Sequence, residues 1–92
     1  MFYVVVYDIP CNRRRSRVHQ LLSGYGCWVQ FSVFELAIVP HKFEELKGRL
    51  RGRLNLEEDS VRFYPLSGHT LGQVEAWGVG APVTRPPGST IV

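Results

Sequence analysis

The first ten residues, Met1-Phe-Tyr-Val-Val-Val-Tyr-Asp-Ile-Pro10, constrain the fold more than any other stretch. Alternation puts Phe2, Val4 and Val6 on one side of a strand and Tyr3, Val5 and Tyr7 on the other. Both sides are apolar, so the strand is expected at the centre of a sheet covered on both faces. Pro10 stops it, and one carboxylate, Asp8, is left at its tip. Directly after it come Arg13, Arg14, Arg15 and Arg17 with no acid among them.

The rest of the chain supplies partners for that strand. Asn12 is a suitable N-cap for a helix carrying Val18, Leu21, Leu22 and Tyr25 on one stripe, with Gly24 or Gly26 as its stop. Cys27 to Val39 is rich in β-branched and aromatic residues and too long for one average strand, so a bend near Phe31 to Val33 is expected to split it into an antiparallel pair. His41 to Leu54 resumes helical spacing through Phe43, Leu46, Leu50 and Leu54, although Gly48 and Gly52 weaken it by about 1 kcal/mol each. Ser60 to Leu66 reads as a fourth strand, Ser67 to Gly72 as a loop and Gln73 to Val79 as a fifth strand. Gly80 to Val92, rich in Pro and Gly, reads as a flexible tail.

The order β-α-β-β-α-β predicts an α+β, ferredoxin-like sandwich with an additional C-terminal strand. The domain is expected over 1–79, with its core in 2–66 and the extra strand at 73–79. At 92 residues the chain holds one small domain, burying roughly 60 to 70 % of its unfolded surface. Two helices cover only one face of a four-stranded sheet, so the other is expected to be buried in a homodimer, with the fifth strand crossing to the partner's sheet edge.

Composition narrows the function. With 45 % hydrophobic and 21 % charged residues the chain is globular rather than disordered. No apolar run approaches the roughly 20 residues of a membrane span, and a cytoplasmic location without membrane attachment is expected. A helix between Cys11 and Cys27 would hold them about 24 Å apart, beyond disulfide reach, which fits a reducing compartment. The net charge is +3, and nine of the eleven cations are arginine, the residue that forks onto phosphate. This biases the chain toward anionic partners such as nucleic acid.

Individual residues sharpen that bias. Asp8 either caps the turn after the first strand or contributes to a Mg²⁺ site, which uses one or two carboxylates with waters and substrate phosphate. In a symmetric dimer, two copies of Asp8 would provide the pair. Four arginines in the first turns of a helix oppose its macrodipole, which points to a bound phosphate or else to a solvated cationic face. Lys47, Arg49, Arg51 and Arg53 point to several sides of the second helix and read as solvated. His19, His41 and His69 lack metal-ligand spacing, and Ser32 lacks a nucleophile elbow. Tyr7, Trp28 and Phe34 read more readily as core than as base-stacking residues.

Taken together, Tyr3-Val-Val-Val-Tyr-Asp-Ile-Pro10, Arg13-Arg-Arg-Ser-Arg-Val18, Tyr25-Gly and Val29-Gln-Phe-Ser-Val-Phe-Glu35 resemble the CRISPR-associated protein 2 family, over about residues 2–66. The resemblance implies a ferredoxin-like homodimer acting in spacer acquisition in prokaryotic antiviral defence. It implies Asp8 as ligand for Mg²⁺, or Mn²⁺, in phosphodiester hydrolysis of single-stranded RNA or double-stranded DNA. It likewise implies site roles for Tyr7, Arg15, Arg17 and Phe34, and nucleic-acid contacts by Arg13, Arg14, Arg15 and Arg17. Many members carry a basic residue before the Val-Gln pair, where this chain has Trp28. The implied partners are a second copy, nucleic acid and CRISPR-associated protein 1, the integrase. Three functions stay open: an endonuclease, a non-catalytic DNA scaffold for that integrase, and a toxin-like ribonuclease.

Overall fold

A computed structural model describes residues 1–84. The opening stretch forms β1 (Phe2–Asp8), and α1 (Asn12–Ser23), β2 (Cys27–Gln30), β3 (Val33–Ala37), α2 (Pro40–Arg51) and β4 (Ser60–Leu66) follow. The sheet order is β2-β3-β1-β4, with every neighbouring pair antiparallel. This is the ferredoxin-like βαββαβ arrangement expected from the sequence. β1 is central, as its two apolar faces require. It pairs with β3 from Phe2↔Ala37 to Val6↔Val33 and with β4 from Phe2↔Leu66 to Asp8↔Ser60.

The side chains of β1 divide cleanly by parity. Val5 and Tyr7 join Phe34 and Leu36 of β3 in a core closed by Val18 and Leu22 of α1 and by Leu46 and Leu50 of α2. Tyr3 extends it by stacking on Phe43 at 4.0 Å between centroids, and Phe43 meets Phe63 edge-on at 5.3 Å. Phe2, itself buried, and Val4, Val6 and Asp8 therefore lie on the opposite face, level with Glu35 and Val33 of β3 and with Arg62 and Tyr64 of β4. No helix covers that face. Pro65 sits in β4, an edge strand, where a missing N–H donor is tolerated.

Several boundaries differ from the sequence reading. The N-cap of α1 is Cys11 and not Asn12, which begins the helix and accepts from the guanidinium of Arg15 through Oδ1. Pro40 opens α2 as its first residue, where its missing N–H costs nothing, and the helix ends at Arg51 rather than Leu54. The expected loop after β4 contains a one-turn helix, α3 (Gly68–Leu71), because the Ser67 hydroxyl accepts from the Thr70 N–H at 3.0 Å. The bend in the long extended segment falls at Phe31-Ser32, between Gln30 and its partner Val33.

The fifth strand expected over 73–79 does not form. Gln73 and Val74 instead donate to the carbonyls of Thr70 and Leu71, and the residues beyond are exposed with Gly78 at φ +84°. A strand needs an edge to bond, and the expectation placed that edge on a second copy. Of the stretch read as a tail, Thr84 donates its N–H to Glu35 Oε1 at 3.0 Å. Residues 85–92 lie outside the described residues. Cys11 and Cys27 are both free thiols. No helix among the described residues is long and apolar enough to cross a membrane.

Gly26 marks the tightest approach of the chain entering β2. A Cβ built there would run into the Leu36 side chain and the Glu35 carbonyl of β3. The carbonyl belongs to a sheet strand and cannot move aside alone. Replacement Gly26→Ala is expected to lower stability by about 1–3 kcal/mol, the cost of overpacking a filled site, as read from the midpoint of urea denaturation.

Candidate functional site

The turn Ile9-Pro10-Cys11 joins the tip of β1 to the start of α1 and brings Asp8 and the arginine block to one end of the sheet. Asp8 is exposed on the open face, in a shallow cavity of ≈ 260 Å³ lined with Val6, Tyr7, Ser60, Arg62 and Tyr64. Arg62 donates to the Tyr64 hydroxyl at 3.1 Å. No group of three or more His, Cys, Asp or Glu among the described residues could hold a metal ion. The donor set around Asp8 thus offers one hard anionic oxygen ligand and the Ser60 hydroxyl, which suits Mg²⁺ as half of a two-carboxylate site.

Tyr7 and Asp8 are adjacent in sequence but face opposite sides of the sheet. Tyr7 is 3 % exposed, and its hydroxyl lies 3.4 Å from both His19 Nδ1 and the Phe31 carbonyl, to which it donates. Burial pushes its phenol above the usual range, and the positive charge of Arg15 partly opposes this. Phe34 is fully enclosed beneath it, with ring centroids 6.4 Å apart. Within one chain Tyr7 and Phe34 are core residues whose rings support the sheet from the face opposite the Asp8 side chain, and of the two only Tyr7 also borders the Asp8 cavity.

The arginines have separate duties. Arg14 donates through Nε and Nη2 to Asp59 at 2.8 and 2.9 Å, pinning α1 to the segment before β4. The Asp59 carboxylate, wholly enclosed, also accepts from the Asn55 N–H at 2.8 Å. Arg15 donates to the Ile9 carbonyl at 2.8 Å and so braces the turn that follows Asp8. Arg13 and Arg17 are exposed, and no carboxylate among the described residues pairs with either.

The start of α1 is electropositive beyond these side chains. It has no side-chain cap and no acid in its first turn, so its first N–H groups remain open to an anion. The Cys11 thiol reports this field, being held below its ordinary pKa chiefly by the Arg14 N–H, with help from the Arg13 N–H and the Arg14 charge. Of the residues singled out by sequence, Arg13, Arg15, Arg17 and Asp8 gather at one end of the molecule. Arg62 was overlooked, and His19 was weighed only as a metal ligand. The alternation of β4 signals Arg62 once its pairing with β1 is known, whereas nothing local signals His19.

An antiparallel α+β sandwich with a lone strand-tip carboxylate beside an uncapped, arginine-rich helix start belongs to the class of small domains equipped to meet an anion. The family model described as CRISPR associated protein Cas2 matches residues 1–74, and the chain belongs to that family. It is 59 % identical over 90 residues to "CRISPR-associated endoribonuclease Cas2 3" of Synechocystis sp., covering 98 % of this chain and 97 % of the relative. Among solved structures it is similar to Streptococcus pyogenes Cas2 at pH 6.5, with TM-score 0.76, 35 % identity and coverage of 85 % of this chain and 100 % of that one. It also resembles a chain in a partial Cas6-RT-Cas1--Cas2 complex, with TM-score 0.77, 25 % identity and coverage of 99 % and 98 %.

The Arg14–Asp59 pair carries a pH signature. Its hydrogen bonds from Arg14 hold the Asp59 carboxyl below its ordinary range, so its stabilisation is complete above the unfolded value of about 3.9 and is lost as pH falls through the native one. The thermal midpoint of Asp59→Asn should lie below that of the parent protein at pH 7, with the gap closing in acid below about pH 3.9. A series of melts from pH 7 to pH 2 reads this directly.

Proposed function

We propose that this chain acts in spacer acquisition in prokaryotic antiviral defence as a homodimer that binds nucleic acid. The observation that carries the reading is the sheet face no helix covers, where Val4 lies between Glu35 and Tyr64, Val6 between Val33 and Arg62, and the strand ends at Asp8. Pairing two such faces would bury that surface and bring two strand-tip carboxylates toward one axis. Arg13, Arg15 and Arg17, with the open amides of α1, would hold the phosphate backbone by charge and by forked hydrogen bonds.

The dimer would also be the unit of catalysis. Two copies of Asp8 would hold Mg²⁺, or Mn²⁺, in a site that neither chain completes alone. When bound, the ion supplies charge neutralisation and an activated water for phosphodiester hydrolysis. The chain's own contribution is to fix Asp8 at the end of a strand bonded on both edges. Arg15 locks the adjoining turn, and Arg13 and Arg17 keep the scissile strand's phosphates in place. The similarity to a protein named an endoribonuclease favours single-stranded RNA as substrate, with double-stranded DNA as the alternative.

A second reading is favoured by the single carboxylate in the cavity around Asp8 and by the similarity to a chain of a Cas1–Cas2-containing complex. In it the dimer is a non-catalytic scaffold that holds a duplex for the integrase, and Asp8 has no chemical role. The two readings part at one substitution. Asp8→Asn should reduce Mg²⁺-dependent cleavage of single-stranded RNA by at least about a hundredfold, given the size of metal-site contributions, while sedimentation equilibrium still reports a dimer. Cleavage that persists in Asp8→Asn would sink the enzyme reading and leave the scaffold.

A further inference from the structure

On the helix side of the sheet, a cavity of ≈ 300 Å³ opens between α1 and the β2–β3 turn, lined by Tyr7, Arg15, Ser16, His19, Trp28 and Phe31. It lies on the opposite face from Asp8. Its rim is aromatic and unusually open, with Trp28 55 % exposed and Phe31 82 % exposed. The indole is nevertheless held in place. Trp28 Nε1 donates to the Phe31 carbonyl at 3.3 Å, and His19 meets the indole edge-on with centroids 5.4 Å apart. The same carbonyl accepts from the Tyr7 hydroxyl at 3.4 Å. Both bonds are long, so either donor can turn to a better acceptor at little cost.

The lining defines its occupant. It combines flat apolar surface with hydroxyl and ring-nitrogen groups, contains no carboxylate, and has a single charge, that of Arg15. The exposed Arg13 and Arg17 stand on the same helix without carboxylate partners among the described residues. A purely apolar side chain would strand the polar groups of the floor. A duplex would keep its bases stacked on each other and offer this rim only a backbone. A planar ring with polar edges, attached to phosphate, satisfies every group at once.

We propose that this cavity binds an unpaired nucleobase, stacked against Trp28 and Phe31, while the arginines of α1 meet the phosphates of the same strand. The assignment rests on the nucleic-acid reading above and deepens it. Trp28 offers a face for a base and no charge for a phosphate, so this protein selects single-stranded segments or unpaired ends.

The test uses a single-stranded 12-residue oligouridylate and a blunt 12-base-pair duplex, bound at low salt in EDTA so that neither is cut. The protein has two tryptophans, Trp28 and the largely exposed Trp77, and Trp77→Phe leaves Trp28 as the sole reporter. Oligouridylate should quench its fluorescence. Trp28→Ala and Phe31→Ala should each weaken oligouridylate binding by about 5- to 150-fold, the range for loss of one stacked base. Duplex affinity should change less than about twofold in both, well below one stacking contact, and Trp28→Phe should recover most of the strand affinity. Phe31 is so exposed that its removal leaves the fold unchanged, which circular dichroism verifies. Unchanged oligouridylate affinity in Phe31→Ala and Trp28→Ala, or an equal loss for strand and duplex, overturns the base site while the nucleic-acid reading stands. If the parent protein binds neither probe, that reading falls and this one with it.

Discussion

The structure depends on β1 being hydrogen-bonded along both edges. Every residue from Phe2 to Val6 is paired on one side with β3 and on the other with β4, and the β4 pairing runs on to Asp8. The backbone polar groups of the strand are thereby satisfied without water, which lets Val5 and Tyr7 disappear into the core. It also fixes where the strand ends. Asp8 is the last paired residue, and its position relative to Ser60 and Arg62 is set by the ladder rather than by any contact of its own side chain. This exposed acid is thus held through its backbone by the β4 ladder alone.

From that anchor the arginine block acquires a division of labour that its sequence does not announce. Consecutive positions on a helix point about 100° apart, so Arg14 reaches the α2–β4 connection while Arg15 turns back to the Ile9 carbonyl and Arg13 and Arg17 face outward. The inner pair holds the turn and the helix in register with the sheet. The outer pair, with the uncapped amides, supplies the positive field. A block of like charges at a helix start is unfavourable in isolation, and here Asp59 neutralises one member from a distant part of the chain.

How legible this was in the sequence follows from the range of each interaction. β4 was read at its observed bounds and β1 to within one residue, and the stripe of α1 through Val18 and Leu22 was visible, because two-residue and 3.6-residue periods are local. The turn at Phe31-Ser32 was legible from length alone, despite the absence of a typical turn pair. Local chemistry failed where competing geometry decides by one residue, as at the Cys11 cap, or where a hydroxyl closes a single turn, as Ser67 does for α3. The segment 73–79 has strand-like residues but no edge to bond in its own chain. The Arg14–Asp59 pair joins residues 45 positions apart, and no local pattern encodes it. Within the candidate site, Asp8 and the arginines were legible as a chain-end cluster. The inward packing of Tyr7 and Phe34, by contrast, separates residues that the resemblance had grouped together.

The opposite orientation of Tyr7 and Asp8 has a bearing on how such a protein can vary. Neighbouring codons here answer to unrelated demands, one to the packing of an interior and the other to a surface chemistry. Substitution at either can proceed without consulting the other. Length cannot: deleting a single residue anywhere between Phe2 and Asp8 would exchange the two faces, sending a carboxylate inward and a phenol out. The strand is therefore free in its letters and rigid in its count, and insertions are confined to the connections on either side of it.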